Sequence, residues 1–156
     1  VLADAGVPIY TVWSGDRLAV GGGVRIEVRH PPWGGMDWSD NANSMVLLVE
    51  YAGHRILLPG DLEPPGLAML VAQPAIDCDL VMAPHHGSSR SDPRGFARWC
   101  RPECVVVSGA TSSGHGPGTE AYQGLGAAVL QTGQAGAVQV TLSRAGMALE
   151  TFRSPP

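Results

Sequence analysis

The chain has 156 residues, 44% of them hydrophobic and 15% charged, and its 14 acidic side chains against 10 basic ones give a formal net charge of −4. That length suits one domain with a real core, and the normal hydrophobic share excludes a disordered chain. Every basic residue is Arg, 21 Gly and 13 Pro promise many turns, and no apolar run reaches the roughly 18 residues a membrane-spanning helix needs. The mild acidity also argues against a non-specific nucleic-acid glove.

In the first half the pattern predicts strands. Residues 9–12 are a short apolar run. Residues 18–20 and 24–30 flank Gly21-Gly22-Gly23, a hairpin signature. In the second of these, Val24, Ile26 and Val28 alternate with Arg25, Glu27 and Arg29, which predicts one buried and one wet face. Residues 31–43 read as a long loop, a length at which loops tend to be functional. Runs at 44–51 and 55–58, joined by Ala52-Gly53-His54, predict a buried hairpin ending at Pro59-Gly60-Asp61.

In the second half helices and strands alternate. Pro64 and Pro65 suit a first helical turn continuing through 66–73. A strand at 79–83 ends in Pro84-His85-His86-Gly87-Ser88-Ser89. Ser91-Asp92-Pro93 signals a helix start, with Phe96 and Trp99 as its apolar side. A strand at 103–108 leads into a Gly/Ser loop holding His115, and Thr119 is expected to cap a helix to about Leu125. A short strand at 129–130 and a hairpin of 138–143 with 147–151 close the chain. Cys78, Cys100 and Cys104 lack metal or redox spacing and read as buried thiols.

Polar, ligand-type residues follow buried strands: Asp61 after 55–58, His85 and His86 after 79–83, His115 after 103–108. Strand-end loops are where α/β folds build active sites. His and Asp bind zinc, manganese or iron, and a bound divalent ion brings the pKa of water to about 7. Each residue alone has a plainer reading. Gly60-Asp61 can be a turn, one His of the pair can bond backbone, and His115 can face solvent. Asn41 and Asn43 can shape the loop, and His30 and His54 fit turns or strand ends.

The ordered combination is more specific. It runs Asn41-Ala42-Asn43-Ser44 before an apolar strand, then Leu57-Leu58-Pro59-Gly60-Asp61-Leu62-Glu63, then Pro84-His85-His86-Gly87-Ser88-Ser89. Pro102 with Val105-Val106-Val107-Ser108 and the later Gly114-His115 complete it. This order resembles the metallo-β-lactamase-like domain at the C-terminal end of the ComEC family of competence proteins, which move DNA across bacterial membranes. The matching stretches are 41–50, 55–63, 80–91 and 102–115, with Gly116 departing from the family's Gly-His-Pro.

The resemblance implies an α+β chain with the metallo-β-lactamase-type αββα sandwich. Asp61 would bridge two divalent ions, zinc or manganese, and His85 would be the main histidine ligand. His115 would be a further metal ligand, and Asn43, Ser44, His86 and Ser88 would surround the metal or position substrate. Arg90 and Arg94 are candidates for phosphate contact or for solvated charges. The implied activity is metal-dependent hydrolysis of DNA phosphodiesters during uptake, beside a membrane channel formed upstream in the same protein, on the extracytoplasmic face. A phosphorylcholine-ester or lactamase-like hydrolase, or a non-catalytic module of the same fold, are the alternatives.

The superfamily's His-x-His-x-Asp-His cluster is absent from this sequence. With its non-Met start, the chain is expected to be the C-terminal portion of one incomplete domain over 1–156, inactive alone and exposing apolar strand faces.

Overall fold

The computed structural model describes residues 4–109 and 117–153. Seven strands lie in one sheet in sequence order: β1 (Arg17–Ala19), β2 (Arg25–His30), β3 (Val46–Tyr51), β4 (His54–Leu58), β5 (Cys78–Met82), β6 (Pro102–Val107) and β7 (Ala128–Gln131). The first four pair antiparallel, β1 with β2 and β3 with β4 through short turns and β2 with β3 across the long loop at 31–45. From β4 to β7 the pairs are parallel. Parallel neighbours need crossovers, and helices α1 (Gly66–Val71), α2 (Pro93–Cys100) and α3 (Pro117–Gln123) supply them. After a short helical turn, α4 (Thr132–Ala135), strands β8 (Val138–Ser143) and β9 (Gly146–Thr151) form a second, two-stranded sheet.

The pleat sorts side chains onto two faces. On one, Val46, Leu48, Leu57, Val81 and Val105 meet Leu67, Leu70, Phe96, Trp99 and Tyr122 from the helices in a single buried cluster. On the other, Leu80, Cys104 and Val106 are covered by Val138, Val140 and Met147 of the hairpin. Toward β3 and β4 this second face thins into an apolar groove of about 310 Å³, lined by Val49, Ile56, Leu58, Met82, Val138 and Val140. Two sheets face to face with helices outside the larger one make the α+β sandwich expected of the sequence. The second sheet has only two strands among the described residues.

Most boundaries fall within two residues of expectation. Residues 9–12 differ, because no strand forms there: Ile9 and Tyr10 are exposed and backbone pairing begins at Ser14. Thr119 is buried inside α3 rather than capping it, since the helix already starts at Pro117. Asp92 does cap α2, its carboxylate accepting from the Gly95 amide at 3.1 Å. All three cysteines are free and buried. Burial pushes the Cys78 thiol up to about 12, so it is protonated and inert at neutral pH.

The two faces should differ in energy. Leu57 is fully buried and its neighbour Leu58 half-buried. Leu57→Ala should therefore cost about 2–5 kcal/mol in urea unfolding. Leu58→Ala should cost less than about 2 kcal/mol; equal losses would contradict this layering.

Candidate active site at the ends of strands β4 to β6

The C-terminal ends of β4, β5 and β6 are side by side because these strands run parallel. Three segments leave them in turn. After β4, Pro59-Gly60 turns with Gly60 at φ 58°, a left-handed value that suits glycine. Asp61 follows, and its side chain is half exposed. After β5, His85 (φ 45°), His86 (φ 56°) and Gly87 (φ 77°) form three consecutive left-handed residues. L-residues pay roughly 1–2 kcal/mol each for that region. Hydrogen bonds hold the turn: the His85 amide donates to the Gly60 carbonyl at 3.1 Å, and the Ser88 amide to the His85 carbonyl at 2.9 Å.

The turn sends the two imidazoles in different directions; their centroids are 6.1 Å apart and their planes 62° from parallel. His85 Nδ1 donates to Glu63 Oε1 at 2.7 Å. His86 Nδ1 lies 3.0 Å from the Ser108 carbonyl, which can only accept, so this nitrogen carries the proton. In the neutral ring Nε2 then offers a lone pair, and it faces Asp61 Oδ1 at 3.7 Å. Two acceptors facing one another across that gap repel unless a proton or a cation lies between them.

The other sequence-predicted residues support this edge. Asn43 accepts from the Met36 amide at 2.8 Å and donates to the Met36 carbonyl at 2.9 Å, so it shapes the loop at 31–43. Ser44 packs against Gly60, just before Asp61. Ser88 accepts from the Arg90 amide at 3.2 Å and caps the turn after the two histidines. Ser91, fully buried, donates to the Leu62 carbonyl at 3.1 Å. Arg90 lies 3.4 Å from Glu63. His115 is outside the described residues.

Glu63 carried no role in the sequence reading, yet it is 8% exposed and contacts both His85 and Arg90. Its amide donates to the Asn41 carbonyl at 3.3 Å. The adjacent Ala42 carbonyl accepts from His30 Nε2 at 2.8 Å. His30 is thus a buried strut under the loop. His54 is at the far end of the sheet, its Nδ1 donating to Asp79 Oδ1 at 2.7 Å. Burial opposes the charge on Asp79, but the bonds from His54 and the Arg55 amide hold its carboxyl below the usual range.

As a metal centre the described donors are incomplete. Two ligands bound to one ion at about 2.1 Å sit roughly 3.4 Å apart, near the Asp61–His86 separation, but a catalytic zinc takes three protein ligands and a water. Among the described residues no group of three His, Cys, Asp or Glu side chains could hold an ion.

A mixed sheet with crossover helices on one face and a second sheet on the other make the metallo-β-lactamase type of fold. The structure of a protein from Parabacteroides distasonis, provisionally designated a metal-dependent hydrolase, matches it with a TM-score of 0.54 and 15% identity, over 83% of this chain and 60% of that one. In sequence the chain is similar to competence proteins. It is 32% identical over 120 residues to competence protein ComA of Neisseria gonorrhoeae, and 33% identical over 106 residues to ComE operon protein 3 of Bacillus subtilis. These matches take in 73% and 65% of this chain but span only 17% and 14% of those relatives. No family model matches the chain.

The strut has a pH signature. Burial lowers the His30 pKa from its ordinary 6.5, against a smaller opposing effect of the Ala42 bond. Below about 6.5 the unfolded chain takes up a proton that the folded one refuses, so stability present above that pH is lost as pH falls. Denaturant melts should show this decline as pH falls below about 6.5, and His30→Gln should flatten it; an unchanged slope would refute the assignment.

Proposed function

We propose that this chain is part of the metallo-β-lactamase-like domain of a ComEC-type competence protein, and that the cleft at Asp61 and His86 contributes to hydrolysis of DNA phosphodiesters during uptake. The observation that carries this reading is the Asp61–His86 pair, a carboxylate oxygen and an imidazole Nε2 3.7 Å apart on separate strand-end loops. The competence relatives favour DNA over other esters, since a fold alone does not select a substrate. The short second sheet and its apolar groove favour a domain completed by further polypeptide of the same protein, which would carry the remaining metal donors together with His115. In this reading the domain sits at a membrane channel on the extracytoplasmic face. Among the described residues no helix is long and apolar enough to cross a membrane.

The test uses the full-length protein carrying this chain, end-labelled DNA and added zinc or manganese. Wild type should cleave the DNA, and Asp61→Asn and His86→Ala should each lower kcat by at least about 100-fold, the scale on which one preorganised charged group matters. The dialysed 156-residue chain should hold well under two equivalents of either metal by elemental analysis. Wild-type rates in both variants would overturn the reading.

A further inference from the structure

We infer that Glu63 is a positioning residue of this cleft: its buried carboxylate holds His85 as the Nδ1–H tautomer and leaves Nε2 as the ring's working nitrogen. The inference rests on the proposed hydrolytic role of the cleft, and it concerns a residue to which sequence reasoning gave no task.

Three observations carry it. Glu63 is 8% exposed, and a carboxylate is rarely buried so deeply without partners fixed around it. Its Oε1 accepts from His85 Nδ1 at 2.7 Å, the short distance of a charge-assisted bond, and lies 3.4 Å from Arg90 Nε. Among the described residues, nothing hydrogen-bonds His85 Nε2. A carboxylate accepts and cannot donate, so it stabilises only ring forms with a proton on Nδ1.

The backbone explains why the bond is available. At φ 45° and ψ 52° the His85 main chain leaves the strand path, and its amide is tied to the Gly60 carbonyl three residues before Glu63. The Glu63 amide is tied to the Asn41 carbonyl. Both partners are thus anchored by their main chains before the side chains meet, which lowers the entropy cost of the contact. Bonding of one ring nitrogen to a carboxylate is a general way of setting which nitrogen of a histidine acts.

Long-range ¹⁵N–¹H spectra of the 156-residue chain at pH 9 report the ring state directly, without activity or metal. The wild-type His85 ring should be predominantly the Nδ1–H tautomer. In Glu63→Gln, whose amide can turn to donate as well as accept, the ring should shift toward the Nε2–H form. In the full-length protein the same variant should lower kcat by about 10- to 100-fold with KM little changed. Any other predominant ring state in the wild type, or a shifted tautomer with undiminished kcat, overturns the inference. If the tautomer shifts as expected but wild type hydrolyses no DNA, the proposed substrate fails while the positioning of His85 stands.

Discussion

The hydrogen bond from the His85 amide to the Gly60 carbonyl joins the end of β5 to the end of β4, and the cleft depends on it. It fixes a left-handed turn at a strand end, where an L-residue chain would otherwise continue extended. From that turn His85 reaches Glu63 and His86 faces Asp61, so two adjacent residues serve two different partners. An ordinary extended backbone would also separate adjacent side chains, but to opposite faces of the sheet. The turn divides them while keeping both at the same edge. Next to it, Leu57, Val81 and Val105 pack in the buried layer beneath the helices.

Electrostatics refine what the cleft can do alone. Arg17, Arg25, Arg29, Arg55, Arg90 and Arg101 each have a carboxylate within 4 Å. Exposed pairs of this kind add little stability, but they neutralise the charge that would otherwise attract a polyanion. Arg90 in particular leans on Glu63, where the sequence also allowed a phosphate contact. With a net charge of −4, attraction of DNA by this chain alone is weak. In the proposed reading, a strong grip on DNA would have to come from an ion at the cleft or from adjoining polypeptide.

Much of the fold was legible because its signals are local. Alternating apolar and charged residues along β2, the Gly-rich turn before it and the Asp92-Pro93 helix start need no tertiary knowledge. The run at 9–12 misled because apolar content says nothing of whether a pairing edge is within reach. Strand-end positions also pointed to Asp61, His85 and His86. The sequence could not divide labour between the two histidines, since that depends on a left-handed backbone with only Gly87 to hint at it. Glu63 was invisible for a similar reason: two residues after Asp61, before α1, it looks like an ordinary acidic residue at a helix start. Its burial and its bond to His85 come from packing across 22 positions of sequence.

Strain at His86 is the most direct measure of this turn. His86→Gly and His86→Ala both remove the imidazole and its bond to Ser108, and they differ only in the Cβ that a left-handed residue carries at a cost. In urea unfolding, the Gly variant should be the more stable of the two by about 1 kcal/mol. An Ala variant equal to or more stable than the Gly variant, as on ordinary extended or helical backbone, would contradict the left-handed turn and the division of the two histidines built on it.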